Sequence, residues 1–127
     1  MVNKIRTQRI AVQIREDLTD LLLNNVTDPR VEGAYVTDVT VDRELAYAKV
    51  FVSAIEGSTR QEEILDGLRN AAGYLRYQLS QRIQLRSFPQ LRFKWDNTPE
   101  RADRIEELFA QITQETDPDS EEPPKEG

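Results

Sequence analysis

Two residue types are missing from this sequence of 127 residues: cysteine and histidine. Without cysteine, the chain can form no disulfide, thiolate metal site or cysteine nucleophile. Without histidine, it lacks the commonest general base and the commonest transition-metal ligand. Any catalytic site would therefore have to use carboxylates, lysine, tyrosine or hydroxyl groups.

Long apolar runs are missing as well. No segment approaches the roughly 20 consecutive apolar residues that span a bilayer, and the basic N-terminus is not followed by the apolar region of a secretory signal. The absence of cysteine agrees with a reducing compartment. We therefore expect a soluble, cytoplasmic protein with no membrane partner.

The sequence also lacks the signatures of the common enzyme classes. It has no Gly-x-x-x-x-Gly-Lys-Ser/Thr phosphate loop, no Gly-x-Ser-x-Gly nucleophile turn and no histidine-based metal motif. Adjacent acids such as Glu62 and Glu63 point in different directions on a helix, so they do not form an acid–base pair. We expect no enzyme activity, no metal, no cofactor and no small-molecule substrate.

The charge of the chain is segregated along its length. The formal net charge is −6, but the last 15 residues hold six acidic residues and one lysine, which leaves 17 acidic and 16 basic residues elsewhere. The stretch from Arg69 to Lys94 has six basic residues and no acidic residue. This local excess of positive charge indicates an anionic partner more strongly than the total charge does.

The first half of the chain predicts a helix followed by a β-hairpin. Apolar residues recur every three or four positions from about residue 3 to residue 25, which is typical of an amphipathic helix. Residues 35–42 and 45–55 are rich in β-branched and aromatic side chains, and their short connection favours antiparallel pairing. Alternate residues of the second strand are small and apolar, so a helix can pack closely there. These are Ala46, Ala48, Val50, Val52 and Ala54.

The second half predicts a further helical segment, a strand and a last helix. The apolar spacing between residues 59 and 83 indicates a helix. Gly73 within it suggests either a bend or a close backbone contact, and we expect a bend that divides the helix in two. Residues 89–95 alternate apolar and basic side chains, as in a half-buried strand. Residues 97–112 begin with Asn-Thr-Pro and predict a short amphipathic helix.

These elements indicate an α+β fold in the order α-β-β-α-bend-α-β plus a short C-terminal helix. Helices are expected to cover one face of a three-stranded sheet. Residues 1–112 form one predicted domain. Residues 113–127 are acidic, rich in proline and almost free of core-forming side chains, so we expect a disordered tail.

Several short segments, in their order and spacing, resemble the ribosome-binding factor A family. The resemblance covers about residues 4 to 110 and includes Arg6 with the helix that follows it. The other matching segments are Asp28-Pro29-Arg30, the strand run from Ala48 to Ser53, Ala71-Ala72-Gly73-Tyr74-Leu75-Arg76, Leu85-Arg86, Pro89, Leu91, Phe93 and Asp96.

The resemblance implies a type II KH-like RNA-binding domain. In that family an Ala-x-Gly sequence forms a helix-kink-helix in place of the Gly-x-x-Gly loop of ordinary KH domains. Ala71 and Gly73 match it, and the five glycines of this chain give no Gly-x-x-Gly spacing. The resemblance also implies a monomeric, non-catalytic assembly factor. Such a factor binds the immature small ribosomal subunit and its 16S ribosomal RNA, and it supports late maturation and processing of the RNA ends.

The candidate RNA-binding residues are all basic. Arg69 and Arg76 are seven positions apart, so they lie on nearly the same helical face beside the predicted kink. We expect Arg76 to be exposed, so that Arg76→Glu would weaken RNA binding without harming the fold. Arginine offers a fork of donors to phosphate and a flat surface to bases. The full set is Lys4, Arg6, Arg9, Arg30, Arg69, Arg76, Arg82, Arg86, Arg92 and Lys94.

Structural roles compete with RNA binding at several positions. An arginine can cover apolar surface with its stem and stay solvated. The turn formed by residues 28–30 favours a structural role for Arg30. Tyr74 and Tyr77 could stack on bases, but aromatic residues at helical spacing are more often packing residues. Trp95, Phe93 and Leu91 are expected in the core.

Two other functions stay open beside the ribosomal one. A protein-interaction module could dock an acidic or apolar partner on the same basic face, with incidental RNA contact. A general binder of single-stranded RNA would bind unstructured oligonucleotides as well as it binds assembling subunits.

Overall fold

A computed structural model describes residues 4–116 of the chain. Three helices and a three-stranded sheet confirm the predicted α+β class. No helix in this described range is long and apolar enough to cross a membrane. The elements are α1 (Lys4–Asn24), β1 (Ala34–Val41), β2 (Tyr47–Ala54), α2 (Gln61–Arg82), β3 (Gln90–Trp95) and α3 (Thr98–Thr116), with short 3-10 helices at Pro29–Val31 and Ser58–Arg60.

The sheet has β2 as its central strand. β2 pairs antiparallel with β1, as the hairpin prediction requires, and parallel with β3. The parallel pairing needs a crossover connection, which α2 supplies. A register shift between Val36 and Asp38 makes Thr37 the extra residue of a β-bulge. The Thr37 hydroxyl donates to a carboxylate oxygen of Asp96 at 2.6 Å, which links the bulge to the residue after β3.

The core lies between one face of the sheet and the helices α1 and α2. Ala48, Val50 and Val52 of β2 are fully buried, and the register places Leu91 and Phe93 of β3 beside them. Fully burying one leucine or isoleucine stabilises the fold by about 1.5–3 kcal/mol. The predicted inward face of β2 is confirmed within the strand. The helices contribute Ile10, Ile14, Leu18, Leu21, Ile64, Leu68, Leu75 and Leu79.

α2 is one continuous helix, so the predicted division into two helices at Ala71 and Gly73 is wrong. One glycine costs a helix about 1 kcal/mol, and burial of the apolar stripe on both sides of it outweighs that cost. Gly73 is exposed, and no atom lies within 4 Å of the place that a Cβ would take. A bend of the unbroken axis at Gly73 stays a prediction.

The close backbone contact of α2 occurs at Gly67 instead. A Cβ at this position would lie 2.8 Å from Cγ1 of Val31 and 3.1 Å from Cβ of Arg30. Both neighbours belong to the 3-10 helix Pro29–Val31, and Val31 is buried. Gly67 therefore lets this turn pack directly on α2.

α3 belongs to a second compact unit, which begins at Asn97. It is amphipathic as predicted, but it continues to Thr116, past the predicted end at Ile112. The predicted tail therefore starts within this helix, and its residues 117–127 lie outside the described range. The prediction of one domain over residues 1–112 stays a prediction. The apolar stripe of α3 consists of the exposed residues Ile105, Leu108, Phe109 and Ile112.

Candidate nucleic-acid interface

β3 is an edge strand with two kinds of side chain. Leu91 and Phe93 are buried in the core, whereas Arg92 and Lys94 are exposed. Among the described residues, β3 pairs only with β2. Backbone N–H and C=O groups along its other side are therefore open to a ligand.

A groove of about 370 Å³ runs between this edge and α2. Arg69 of α2 and Arg92 and Lys94 of β3 line it, and none of its described lining residues is acidic. The small side chain of Ala72 also lines it, which leaves room between the helix and the strand. Three cations around one groove attract phosphate groups. We call this the α2–β3 groove.

Arg69 is available to a ligand of the α2–β3 groove. Its nearest ion-pair partner, Asp66, is 3.7 Å away, and the two side chains are 56% and 65% exposed. An exposed pair three residues apart on a helix stabilises the protein by about 0.5 kcal/mol or less. A phosphate can therefore replace Asp66 at little cost in free energy.

Arg92 is held in place by an aromatic ring. Its guanidinium carbon lies 4.7 Å from the centre of the Tyr47 ring on the neighbouring strand β2. Such a cation–π contact is worth about 0.5–1 kcal/mol at an exposed site. Because the contact restricts the long side chain in advance, Arg92 loses less rotamer entropy when it binds a ligand.

Arg6 and Arg86, which are far apart in sequence, line a second cleft of about 400 Å³. Arg6 lies near the start of α1, and Arg86 lies in the connection between α2 and β3. The β1–β2 loop completes this cleft with Glu44, Leu45 and Ala46. Because Glu44 offsets one of the two arginines, the second cleft is less strongly basic than the α2–β3 groove.

The predicted N-terminal cluster of Lys4, Arg6 and Arg9 is divided between different surfaces. Lys4 and Arg9 are exposed on α1. Arg9 lines a shallow depression formed by α1 alone, together with Ile5 and Val12. Arg6 shares the second cleft with Arg86.

The sequence suggested that Arg76 is exposed, but its side chain is only partly exposed. Its guanidinium donates hydrogen bonds to the backbone carbonyl oxygens of Phe88 and Pro89, the second at 3.1 Å. These bonds attach the segment before β3 to α2. These bonds contradict the premise that Arg76 is freely exposed. We now expect Arg76→Glu to destabilise the fold, because a carboxylate cannot donate to the carbonyl oxygens and repels them.

Arg82, the last residue of α2, connects α2 to α1. Its Nη1 lies 2.8 Å from a carboxylate oxygen of Asp20 and 3.6 Å from one of Asp17. The hydrogen bond lowers the pKa of Asp20 and raises the pKa of Arg82. These ion pairs give Arg82 a structural role at the contact between α2 and α1.

Arg30 forms a local ion pair within its turn. The Asp28 carboxylate accepts a hydrogen bond from the Arg30 backbone N–H at 2.9 Å and one from its Nη2 at 2.6 Å. The side-chain hydrogen bond lowers the pKa of Asp28 and raises that of Arg30. This geometry agrees with the structural role that the turn favoured, and RNA contact by Arg30 stays a prediction.

Arg60 has a structural role that the sequence did not single out. Its guanidinium pairs with Glu56 and Glu63, which raises the pKa of Arg60. The spacing of these two acids is visible in the sequence, but the carbonyl acceptors 28 to 31 residues away are not. Arg60 fixes the turn that packs on Gly67. Its three backbone acceptors are the carbonyl oxygens of Pro29, Arg30 and Glu32, at 2.9–3.0 Å.

The aromatic residues divide between the core and the surface. Leu91 and Phe93 are buried as predicted, and Trp95 packs against the core while partly exposed. Tyr74 and Tyr77 are 44% and 60% exposed, so their predicted packing role is wrong. The apolar stripe of α2 passes through the positions beside them, which leaves both rings on its solvent face.

A family model for ribosome-binding factor A matches residues 6–109. The chain belongs to the ribosome-binding factor A family. A ribosome-binding factor A from Aromatoleum aromaticum is 38% identical over 112 residues, which is 88% of each chain. One from Nitrosomonas europaea is 43% identical over 104 residues, which is 82% of this chain and 89% of that one.

A solved ribosome-binding factor A has the same fold. The crystal structure of the protein from Thermus thermophilus matches with a TM-score of 0.63 at 24% identity, over 70% of this chain and 93% of that one. A homology model of the Thermus thermophilus protein, fitted into a cryo-EM map of its 30S complex, matches with a TM-score of 0.56 at 23% identity, over 68% of this chain and 90% of that one. At these identities the likeness shows the fold alone.

The family assignment confirms the resemblance found in the sequence. In this member of the ribosome-binding factor A family, the α2–β3 groove carries three cations and no described acidic lining residue, whereas the cleft of Arg6 and Arg86 also contains Glu44. Within residues 4–116, no group of three or more carboxylates is placed to hold a metal ion. The α2–β3 groove is therefore the candidate interface.

Proposed function

We propose that the protein is a monomeric, non-catalytic assembly factor that binds the immature small ribosomal subunit through its 16S ribosomal RNA. In this proposal the α2–β3 groove contacts the RNA backbone. Binding supports late maturation of the subunit and processing of its RNA ends.

One observation carries the proposal: Arg69, Arg92 and Lys94 line a groove whose other described lining residues are uncharged. Phosphate contacts supply most of the affinity in nucleic-acid binding, and arginine can bind phosphate through two donors at once. Family membership adds support, since a relative has been fitted into a map of its complex with the 30S subunit.

A charge-matched pair of variants tests the position of the interface. The groove variant carries Arg69→Gln, Arg92→Gln and Lys94→Gln. The control carries Arg15→Gln, Arg101→Gln and Arg104→Gln, three exposed positions that are not among the groove-lining residues, so both variants have the same net charge. Binding to immature and mature small subunits is measured by co-sedimentation through a density gradient.

We expect the wild type and the control to sediment with immature subunits and to bind mature subunits less. The groove variant should bind immature subunits at least tenfold more weakly, because three phosphate contacts are lost. Equal binding by the groove variant and the control would refute the groove as the RNA contact. Ribonuclease treatment of a pull-down separates RNA binding from docking to a protein, because only a protein partner stays bound.

The processing role needs a separate experiment in cells. Cells without this protein should accumulate 16S ribosomal RNA with unprocessed ends, which primer extension measures. The wild-type gene should restore processing, and the groove variant should not. Normal RNA ends in the depleted cells would contradict this part of the proposal.

A further inference from the structure

The outer face of the sheet, opposite α1 and α2, combines cations with aromatic rings. In register, Tyr47 pairs with Gln90, Lys49 with Arg92 and Phe51 with Lys94. Tyr47 is 47% exposed, and Lys49, Arg92 and Lys94 are exposed as well. β1 adds Asp38 opposite Phe51 and Thr40 opposite Lys49. The outward positions of the three strands therefore hold three basic residues and one acidic residue.

Tyr47 and Arg92 form a preassembled cation–π pair on this face. The Arg92 guanidinium lies 4.7 Å from the Tyr47 ring centre, and both side chains stay accessible. Aromatic rings and guanidinium planes are the surfaces on which proteins stack unpaired RNA bases. Lys49, paired in register with Arg92, adds a positive charge for the backbone of such a nucleotide.

The outer face is continuous with the α2–β3 groove. Arg92 and Lys94 belong to both surfaces, because β3 is the strand at the edge between them. A single strand that leaves the groove around β3 therefore meets Tyr47 next. A rigid duplex cannot follow this turn, and its bases are already stacked on each other.

We propose that Tyr47 and Arg92 form a stacking subsite for an unpaired base of single-stranded RNA on the outer face of the sheet. This inference rests on the proposed function and adds to it. The groove would hold the backbone, whereas the outer face would select segments that are not base-paired.

The test compares two RNA probes, with the full chain in each case. One is a ten-nucleotide oligouridine that carries 4-thiouridine, and the other is a ten-base-pair RNA duplex. Variants are Tyr47→Ala and the conservative Tyr47→Phe, which keeps the ring. Tyr35→Ala is the matched control, since Tyr35 pairs with Ser53 at the opposite end of the same face, about 20 Å away at the rise of a strand.

We expect Tyr47→Ala to weaken binding of oligouridine about tenfold, the loss of one base–aromatic stack. Duplex binding should change less than twofold, and Tyr47→Phe and Tyr35→Ala should bind both probes as the wild type does. On the wild-type chain, photo-crosslinking should add the nucleotide mass to the tryptic peptide of residues 44–49, which contains Tyr47 as its only aromatic residue. This readout does not depend on the folding of any variant.

Two results would overturn the inference: oligouridine binding by Tyr47→Ala within twofold of wild type, or crosslinks confined to other peptides. The groove variant distinguishes this failure from failure of the proposed function. If the groove variant loses oligouridine binding while Tyr47→Ala keeps it, only the subsite is refuted. If the groove variant also binds RNA and immature subunits as the wild type does, the groove is refuted as the RNA contact of the proposed function.

Discussion

Arg76 and Pro89 are joined by a hydrogen bond in which the guanidinium Nε donates to the backbone carbonyl oxygen at 3.1 Å. A second donor of the same side chain reaches the carbonyl oxygen of Phe88. Pro89 is fully buried, and β3 begins at the next residue. Arg76 therefore fixes where β3 starts relative to α2, which in turn sets the position of the α2–β3 groove.

Replacing Arg76 should destabilise the fold. Arg76→Gln removes at least one of two hydrogen bonds to partly buried carbonyl oxygens, so the free energy of unfolding should fall by about 1–3 kcal/mol. Arg69→Gln on the same helix is the matched control, and its effect should stay within about 0.5 kcal/mol. Urea unfolding followed by circular dichroism measures both. Equal stability of the two variants would contradict a structural role for Arg76.

The fold was predictable to the extent that residue periodicity reports burial. Alternation in β2 and β3 identified their inward faces, and the spacing of three and four identified α1 and α2. The continuity of α2 through Gly73 was missed. The cost of a glycine is visible in the sequence, whereas the burial of Leu75 and Leu79 beyond it depends on the tertiary structure.

The site was predictable only in part, because the sequence shows which residues are charged but not which groups each charged side chain contacts in the fold. The acid-free stretch includes Arg69, Arg92 and Lys94, which line one groove, and their contact with RNA stays a prediction. The same stretch holds Arg76 and Arg82, whose partners are backbone carbonyls and two carboxylates of α1. Such partners come from other elements, so periodicity cannot separate structural arginines from available ones.

Two glycines of α2 should respond to alanine in opposite directions. Gly73→Ala adds a methyl group into open space, so it should stabilise the protein by about 0.5–1 kcal/mol through helix propensity. Gly67→Ala places a Cβ 2.8 Å from Cγ1 of Val31 and should destabilise the protein by about 1 kcal/mol or more. Thermal unfolding measures both. A loss of stability in Gly73→Ala would mean that the helix is bent or contacted there.

The ion pair between Asp20 and Arg82 should make stability depend on acid pH. The pKa of Asp20 is lowered in the folded protein, so its stabilising contribution is complete above the ordinary aspartate value of about 3.9 and is lost as the pH falls below it. Asp20→Asn should therefore lower the urea midpoint at pH 7 and flatten its decline between about pH 5 and pH 2.

Arg82→Gln checks this pH prediction from the other partner. It leaves the carboxylate in place but removes the hydrogen bond that lowers the pKa of Asp20. Its urea midpoint should therefore also decline less than that of the wild type over the same pH range. If the urea midpoints of the wild type and both variants decline in parallel with falling pH, the link between this ion pair and the pH dependence is refuted.

The salt dependence of RNA binding should reveal how many groove cations contact phosphate. For single-stranded RNA each contact contributes about 0.7 to the slope of log affinity against log salt concentration. Lys94→Gln should reduce the slope by about that amount and weaken binding to all sequences alike. Arg101→Gln, on α3, should leave the slope unchanged. An unchanged slope in Lys94→Gln would place its ammonium group away from the RNA.

The parallel pairing of β2 with β3 also has a consequence for the order of folding. β1 and β2 are joined by a short loop, whereas β3 pairs with β2 across about 40 residues. Closing this longer loop costs chain entropy before the β2–β3 pairing contributes any stability, so this pairing is expected to form late. During synthesis, α1, the hairpin and α2 leave the ribosome before β3 does. The α2–β3 groove and the outer face both require β3. A nascent or partly folded chain therefore has neither surface, and the proposed RNA interface exists only once β3 has joined the sheet.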